Sequence, residues 1–414
     1  AAVGFTYSCP RAGGARPFRM RRVAFAAGAR CASYRVSQGP RSRALVSLAY
    51  AGPEAHRRGH GAAAAGALAA AAAAALAAAG HGPSACDLSD EGENVVHKFD
   101  AARWAATLAK IKDGIVSLKV NSVRAFDTQS AGAMQATGFV VDAERGLILT
   151  NRHVVTEGPV VAEAVFDNHE EVGLRAVYRD PVHDFGIFQY DPSSLQNSVR
   201  VAELKLRPDK AVQGLDVRVI GNNAGEKLSV LGAMLARLDR EAPFYGRRTY
   251  NDFNTFYFQA ASGTSGGSSG SPVVDAAGDV VALNAAGKVG TASSYYLPLD
   301  RVKRVVDLVR AGRPVTRGTL QTTFVFLPFF ELARFGLTPA SAQAAQAAGE
   351  EVGMLIVKSV VPGGPASGVV EPGDVLMSIA GVNVTRFAPL EGILDDMVGE
   401  TIDIIIERGG ERLE

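Results

Sequence analysis

Short apolar stretches recur about every ten residues between residues 114 and 284, with turn signals between them. Many short strands without intervening helices favour an all-β barrel or sandwich. A helix over 299–310, stopped by Gly312 and Pro314, closes this region. The predicted strands are Gly114–Val120, Ala136–Val141, Gly146–Thr150, Glu171–Val177, Gly186–Tyr190, Asp216–Ile220, Thr255–Ala260, Pro272–Asp275 and Asp279–Asn284.

Charge is distributed unevenly along the chain of 414 residues, 47% of which are hydrophobic. Residues 1–60 contain 11 arginines, no lysine and one acidic residue, Glu54. The remaining chain has 32 basic and 41 acidic residues, a net charge of −9. Nucleic-acid binding needs a basic face, so we expect no nucleic-acid partner for the folded part.

Residues 1–90 form a low-complexity segment, interpreted as a targeting segment. Its first part is rich in Arg, Ala and Ser, as organelle transit peptides are. Arg57 and Arg58 then precede an Ala-Leu stretch, an order similar to a twin-arginine export signal. The alternative is low-complexity coding sequence or an untranslated region included by error. We expect no stable membrane span, because alanine is barely hydrophobic enough to hold a helix in lipid.

Residues 262–272 read SGTSGGSSGSP, which could be a flexible tether or a shaped loop. A linker should be flanked by polar sequence, whereas strand-like stretches flank this one on both sides. Glycines in such a loop let backbone amides converge on one point, as an oxyanion hole requires. The pattern favours a nucleophile loop, in which either Ser265 or Ser269 could attack.

A nucleophilic serine needs a base, and the base needs an orienting acid. His153 stands at the end of an apolar strand in LTNRHVV, and Asp184 at the start of another in HDFGIF. Neither motif is specific alone, but the order His, Asp, Ser predicts that three barrel loops meet in one cleft. His183, beside Asp184, is interpreted as a surface neighbour rather than a second base.

The motifs TNRHVV, HDFGIF and GSSGSPVV resemble those of the HtrA/Deg serine proteases, especially the long Deg-type proteases of plants and fungi with several PDZ domains. The resemblance implies a mainly β fold, with a chymotrypsin-like double β-barrel over residues 100–312. It implies that His153 is the general base, that Asp184 orients it and that Ser269 is the nucleophile, because Pro272 opens the next strand three residues later. The amides of Gly267 and Ser269 would form the oxyanion hole.

Residues 315–414 resemble the small α+β PDZ domain of the same family. The loop Leu320-Gln321-Thr322 stands where a PDZ domain captures a peptide carboxylate. It lacks the glycine usual after that leucine, so a regulatory or packing role is the alternative. The sequence stops just after the apolar run 401–406, which suggests a longer parent protein and a truncated module.

Together these features predict an ATP-independent serine endopeptidase that acts on unfolded or damaged polypeptides. We expect no metal and no cofactor. The alternative is a catalytically silent PDZ scaffold or chaperone on the same fold.

The resemblance suggests a homo-oligomer, commonly a trimer. The N-terminal segment suggests a plastid or mitochondrion, with nucleus or cytosol as alternatives. The segments 261–263 and 283–287, expected to line the specificity pocket, contain no acid, which predicts cleavage after small or medium aliphatic residues.

Overall fold

The computed structural model describes residues 91–126, 130–196, 200–223, 228–245, 251–287, 293–349 and 352–414. The predicted targeting segment, residues 1–90, lies outside this range. A helix, α1 (Glu91–Ile111), precedes the first strand. Thr107 of α1 donates a hydrogen bond to the carbonyl oxygen of Ala276 (2.7 Å), which ties the helix to the second of two barrels.

The first barrel closes six strands in the order β1-β2-β3-β6-β5-β4, with every pairing antiparallel. Alternate side chains of its strands fill the interior, as the two-residue period of a strand requires. Its strands are β1 (Ile115–Ser122), β2 (Gly132–Asp142), β3 (Leu147–Thr150), β4 (Val160–Val165), β5 (Glu171–Arg179) and β6 (Gly186–Gln189).

The second barrel repeats this topology in the order β10-β11-β12-β9-β8-β7. The helix α2 (Asp300–Arg310) follows it and buries Val302, Val305 and Val306 against the core between the barrels. Its strands are β7 (Asp216–Gly221), β8 (Ser229–Glu241), β9 (Phe256–Ala260), β10 (Pro272–Val274), β11 (Val280–Gly287) and β12 (Ser294–Pro298).

The predicted double β-barrel is confirmed. One apolar cluster fills the space between the barrels and includes Phe139 and Phe185 of the first barrel and Tyr257 of the second. The sequence prediction missed three strands, β4, β8 and β12. The longest, β8, has a largely polar C-terminal half, so its sequence shows no clear alternation of apolar and polar residues. Its strand conformation comes from pairing with β7 and β9.

A smaller α+β unit follows the barrels, as predicted. Its sheet has the order β13-β14-β15-β17-β18, with β16 paired to β15, and β13 lies at one edge. A helix over residues 387–396 packs its apolar face, including Leu390 and Leu394, into the core of this unit. The elements are β13 (Thr322–Pro328), α3 (Phe329–Leu332), α4 (Pro339–Gly349), β14 (Gly353–Val360), β15 (Val375–Ile379), β16 (Val382–Asn383), α5 (Phe387–Asp396), β17 (Ile404–Arg408) and β18 (Glu411–Leu413).

Buried ion pairs join this C-terminal unit to the barrels. Arg317 Nε lies 3.0 Å from Asp180 Oδ2 of the first barrel, and its Nη1 donates to Asp395 Oδ2 of α5 at 2.9 Å. Arg301 of α2 donates to the same Asp395 oxygen at 2.6 Å and also pairs with Glu391. The four carboxylate and guanidinium side chains of Asp180, Asp395, Arg301 and Arg317 are each at most 10% exposed. Each buried charge therefore has an opposite charge in contact with it.

The edge of β13 is also in contact with the second barrel. The Asn254 side chain donates to the carbonyl oxygen of Thr322 (3.0 Å) and accepts from the amide of Phe324 (2.8 Å). A neighbouring strand would make the same two bonds with this edge. The Phe256 ring packs edge-on against Phe326 and Phe387, with centroids 5.5 and 4.9 Å away. Part of this free edge is therefore already satisfied within the chain.

Candidate active site

His153 and Asp184 form a close pair at one end of the first barrel. His153 follows β3, and Asp184 precedes β6, the strand that pairs with β3. The His153 ring Nδ1 lies 2.9 Å from Asp184 Oδ2, and the His153 amide donates to Oδ1 at 3.0 Å. The Asn151 side chain donates to the Asp184 carbonyl oxygen at 2.9 Å. Three contacts thus hold Asp184, two of them at its carboxylate, beside the Nδ1 edge of the imidazole.

The environment of this pair favours a charged imidazolium beside an ionised carboxylate. Desolvation acts to lower the pKa of His153, but the charge of Asp184 and its hydrogen bond outweigh it, so the pKa is raised. Burial acts to raise the pKa of Asp184, and His153 lowers it overall. The Asp184 side chain is 6% exposed, whereas the His153 side chain is 41% exposed. The imidazole can therefore exchange protons with a molecule in the cleft while its partner is shielded.

The loop around Ser269 joins β9 to β10 of the second barrel and is attached to the first barrel by Thr137. The Thr137 hydroxyl donates to the Gly267 carbonyl oxygen (2.9 Å), and its amide donates to the Ser269 carbonyl oxygen (2.8 Å). Gly270 has φ +80°, and a Cβ there would lie 2.2 Å from both the Thr137 carbonyl oxygen and the Thr150 hydroxyl. Only glycine fits this close approach to the end of β3, three residues before His153.

The backbone amides of Gly267 and Ser269 have no hydrogen-bond acceptor among the described residues, whereas the amides of Ser268, Gly270 and Ser271 all do. Gly267 has φ +92°, which turns the backbone at this point. Two unoccupied amides beside a half-buried serine can hold an oxyanion. In the described part of the chain no hydrogen bond joins Ser269 to His153. Such bonds commonly tighten only when substrate binds.

Ser265, the other serine that the sequence left open, is exposed and lies one turn before Ser269. Its carbonyl oxygen accepts from the Ser268 hydroxyl at 2.6 Å and from the Ser268 amide at 3.2 Å. The Asn284 side chain of β11 in turn donates to the Ser268 carbonyl oxygen at 2.7 Å. Ser265 therefore contributes to the turn that shapes the loop.

Ser271, two residues after Ser269, has its side chain inside the loop. Ser271 is fully buried, and a Cβ on Gly221 of β7 would lie 1.9 Å from the Ser271 hydroxyl. The missing side chain at Gly221 therefore leaves the space that the Ser271 hydroxyl fills.

The interpretation of His183 as a surface residue is wrong, since it is 2% exposed. Its Nε2 lies 3.2 Å from the Phe253 carbonyl oxygen, and Arg317 Nη2 lies 3.4 Å from its Nδ1. Desolvation lowers the pKa of His183 to about 3, so the ring is neutral at physiological pH. In the sequence, His183 stands next to the proposed catalytic Asp184. In the structure, the His183 side chain is buried in the protein.

The three residues considered for carboxylate capture lie at the start of β13. Leu320 packs partly buried against the core of the C-terminal unit, and Thr322 is 3% exposed. Gln321 is exposed with φ +52°, and its amide already donates to the Thr319 hydroxyl at 2.9 Å. The Thr322 carbonyl oxygen accepts from Asn254, as described above.

An open groove of about 650 Å³ lies beside the Ser269 loop, between Ser265–Gly267 and the strands β1 and β2. Among the residues described, no three His, Cys, Asp or Glu side chains are grouped so that they could hold a metal ion. No helix within the described ranges is long and apolar enough to cross a membrane.

The chain is similar to known peptidases in both sequence and fold. The family description "Trypsin-like peptidase domain" matches residues 136–283, which run from within β2 to the middle of β11. Solved structures with similar folds include the HtrA-type protease AlgW with a decapeptide (TM-score 0.53, 21% identity, 75% of this chain and 96% of that one). A serine endoprotease from Yersinia pestis is similar at TM-score 0.50 and 18% identity, over 75% of this chain and 94% of that one.

Two proteins are identical to this chain at about half of the matched residues. Protease Do-like 7 of Arabidopsis thaliana is 52% identical over 325 residues, which are 76% of this chain and 30% of the relative. The pro-apoptotic serine protease nma111 of Aspergillus terreus is 48% identical over 336 residues, 79% of this chain and 32% of the relative. The chain thus spans about a third of the length of these relatives. It carries a trypsin-like peptidase domain, is similar in sequence to these two proteases, and has the fold of the HtrA-type proteases among its structural neighbours.

Proposed function

We propose that the chain is a serine endopeptidase, with Ser269 as nucleophile, His153 as general base and Asp184 as the group that orients His153. The observation that carries this proposal is the His153–Asp184 pair of the first barrel together with the glycine-rich serine loop of the second. Thr137 of the first barrel holds this loop by two hydrogen bonds. The match to a trypsin-like peptidase domain and the similarity to proteases of plants and fungi support the proposal as well.

In the proposed reaction, the Ser269 hydroxyl attacks the carbonyl carbon of a peptide bond while His153 Nε2 accepts its proton. The negative charge that develops on the carbonyl oxygen faces the two unoccupied amides of Gly267 and Ser269. His153 then gives the proton to the leaving amine, and an acyl-enzyme remains on Ser269. Water, deprotonated by His153, hydrolyses this ester and regenerates the serine. Asp184 stabilises the imidazolium in both half-reactions.

The proposed substrates are polypeptides with accessible, extended segments, and the groove beside the Ser269 loop is open enough for a chain to enter. Leu283 and Ala285 in the expected pocket segments are buried, and neither segment contains an acid. A lysine or arginine before the cleaved bond would thus be buried without a partner, at a cost of several kcal/mol. We propose cleavage after valine, alanine, isoleucine or leucine.

We also propose that residues 100–312 form the protease domain and residues 315–414 a PDZ domain. For this PDZ domain a packing or regulatory role has more support than capture of free C-termini by Leu320, Gln321 and Thr322. Asn254 already bonds to the β13 edge, and the Gln321 amide already has an acceptor. Assembly into homo-oligomers remains a proposal by analogy with the family.

Digestion of reduced, denatured casein tests the proposed function, with mass spectrometry of the fragments. Wild-type protein should cut after small or medium aliphatic residues, and Ser269→Ala should not cut. A dominant preference for lysine or arginine would mean that the pocket has been misassigned. A wild-type protein that binds denatured casein but leaves it intact would favour the silent scaffold or chaperone instead.

A further inference from the structure

We propose that Asp252, a second carboxylate behind Asp184, is a positioning residue for the His153–Asp184 pair. This inference rests on the proposed function. Asp252 lies between β8 and β9 of the second barrel, whereas the pair belongs to the first. Asp252 is 8% exposed, so its contacts are with protein rather than solvent.

Asp252 holds the backbone of Asp184 at the amide. Its Oδ2 accepts a hydrogen bond from the Asp184 amide (2.9 Å) and another from the Tyr257 hydroxyl (2.7 Å). Asp184 is therefore held from two sides, by Asp252 at its amide and by His153 at its side chain. Tyr257 is fully buried in the core between the barrels, so this support does not depend on an exposed group.

The neighbours of Asp252 in sequence fix its position. The Phe253 carbonyl oxygen lies 3.2 Å from the ring of His183, and Asn254 is bonded to the β13 edge. The segment 252–254 is thereby attached to the first barrel at one end and to the C-terminal unit at the other. A side chain on a segment held in this way can set the position of a catalytic group within the fraction of an ångström that catalysis requires.

Two buried carboxylates close together cannot both be charged at low cost. Burial and the charge of Asp184 raise the pKa of Asp252 to about 7. The other groups that act on Asp252 are Tyr257, which stabilises its charge by a hydrogen bond, and Arg152; Tyr245 also faces both carboxylates. Asp252 Oδ1 is buried without a hydrogen-bond partner among the described residues, so it can carry a proton without losing a bond.

Asp252 thus has two separable effects. Its Oδ2 positions Asp184 through the amide, and its negative charge, where present, helps to raise the pKa of His153. Asp252→Ala removes both effects. Asp252→Asn keeps an oxygen that can accept from the Asp184 amide but removes the charge, so it separates them.

The test measures kcat and KM on a fluorogenic peptide with valine before the cleaved bond, across pH 5 to 9. We expect Asp252→Ala to lower kcat about 10- to 100-fold with KM within about threefold of wild type, because a small misplacement of a catalytic group slows the reaction by this order. Asp252→Asn should recover most of kcat while its acid limb moves to lower pH. Asp239→Asn, which removes an exposed carboxylate from β8, is the matched control. It should change neither kcat nor the pH of the acid limb.

A second readout needs no turnover: the pKa of His153 by NMR titration of its ring protons in a Ser269→Ala background. Asp252→Asn should lower this pKa. If the wild-type protein hydrolyses no peptide, the proposed function is overturned. If the wild-type protein is active and both Asp252→Ala and Asp252→Asn leave kcat and the pKa of His153 unchanged, this inference is overturned. A loss of unfolding free energy alone, with kcat and pH profile intact, would also overturn it. If Asp252→Ala does not fold, Asp252→Asn and Tyr257→Phe decide, and unchanged kcat and pKa in both count against the proposal.

Discussion

The two barrels have the same strand order, yet they hold their functional side chains differently. In the first barrel, His153 and Asp184 bond directly to each other and belong to loops beside paired strands, β3 and β6. In the second, the loop around Ser269 takes its shape partly from Thr137, a residue of the first barrel. The histidine–aspartate bond thus forms within the first barrel, with Asp252 of the second barrel supporting the Asp184 backbone, whereas the serine loop itself takes its shape from contact between the barrels.

This difference means that the two halves should respond differently to mutation. A change in the first barrel acts on the proton-transfer pair directly. A change at the Thr137 contact should alter the position of the nucleophile and its two amides while the histidine–aspartate pair stays formed.

The largest effect is expected at the two serines of the loop. Ser269→Ala should lower kcat by at least about 10³-fold, because only oxyanion stabilisation and binding remain. Ser265→Ala should retain at least about a tenth of wild-type activity, since the turn uses the carbonyl oxygen of Ser265, which alanine also has. Rates on denatured casein measure both. Equal loss in the two variants would contradict the assignment of the nucleophile.

The next largest effect concerns the attachment of the C-terminal unit to the first barrel. Arg317→Ala leaves Asp180 and Asp395 buried without this partner, which should cost about 3–5 kcal/mol of unfolding free energy. The control Arg207→Ala breaks an exposed pair with Asp209 and should leave the unfolding free energy almost unchanged. Denaturant unfolding measures both. Similar small costs would show that the buried pairs do not stabilise the junction.

Thr137→Val tests the contact between the barrels. Valine keeps the shape but cannot donate to the Gly267 carbonyl oxygen or accept from the Asn222 amide. We expect kcat to fall about 10- to 100-fold, as small misplacements of reacting groups do, while the pKa of His153 is retained. Thr107→Val removes a comparable hydroxyl-to-carbonyl bond on α1 and should leave kcat unchanged. If both variants keep full activity, the loop does not need this contact.

The smallest effect is a displacement of the pH profile. Since Asp184 raises the pKa of His153 and a protonated imidazole cannot accept a proton, kcat/KM should fall as pH decreases through a value above the ordinary histidine pKa of about 6.5. The pH dependence of kcat/KM on a neutral peptide gives this midpoint. A midpoint below 6.5 would mean that desolvation outweighs the charge of Asp184.

The sequence predicted the first barrel's pair and the serine loop because each lies in a local motif beside an apolar strand. It did not indicate Thr137 or Asp252, whose roles arise from contacts with residues 130 and 68 positions away. Neither residue stands in a pattern that predicts such a contact. The burial of His183 was missed for the same reason, since Phe253 and Arg317 cover it from distant parts of the chain. Strand periodicity reports local burial, whereas these contacts depend on how the barrels pack.

The most direct test of the central claim is labelling with a fluorophosphonate, which reacts with a serine only when a base and an oxyanion hole activate it. The labelled peptide is then identified by mass spectrometry. We expect one adduct, on Ser269, with labelling abolished in Ser269→Ala and His153→Ala and retained in Ser265→Ala. An adduct on Ser265, or no adduct on folded wild-type protein, would contradict the account.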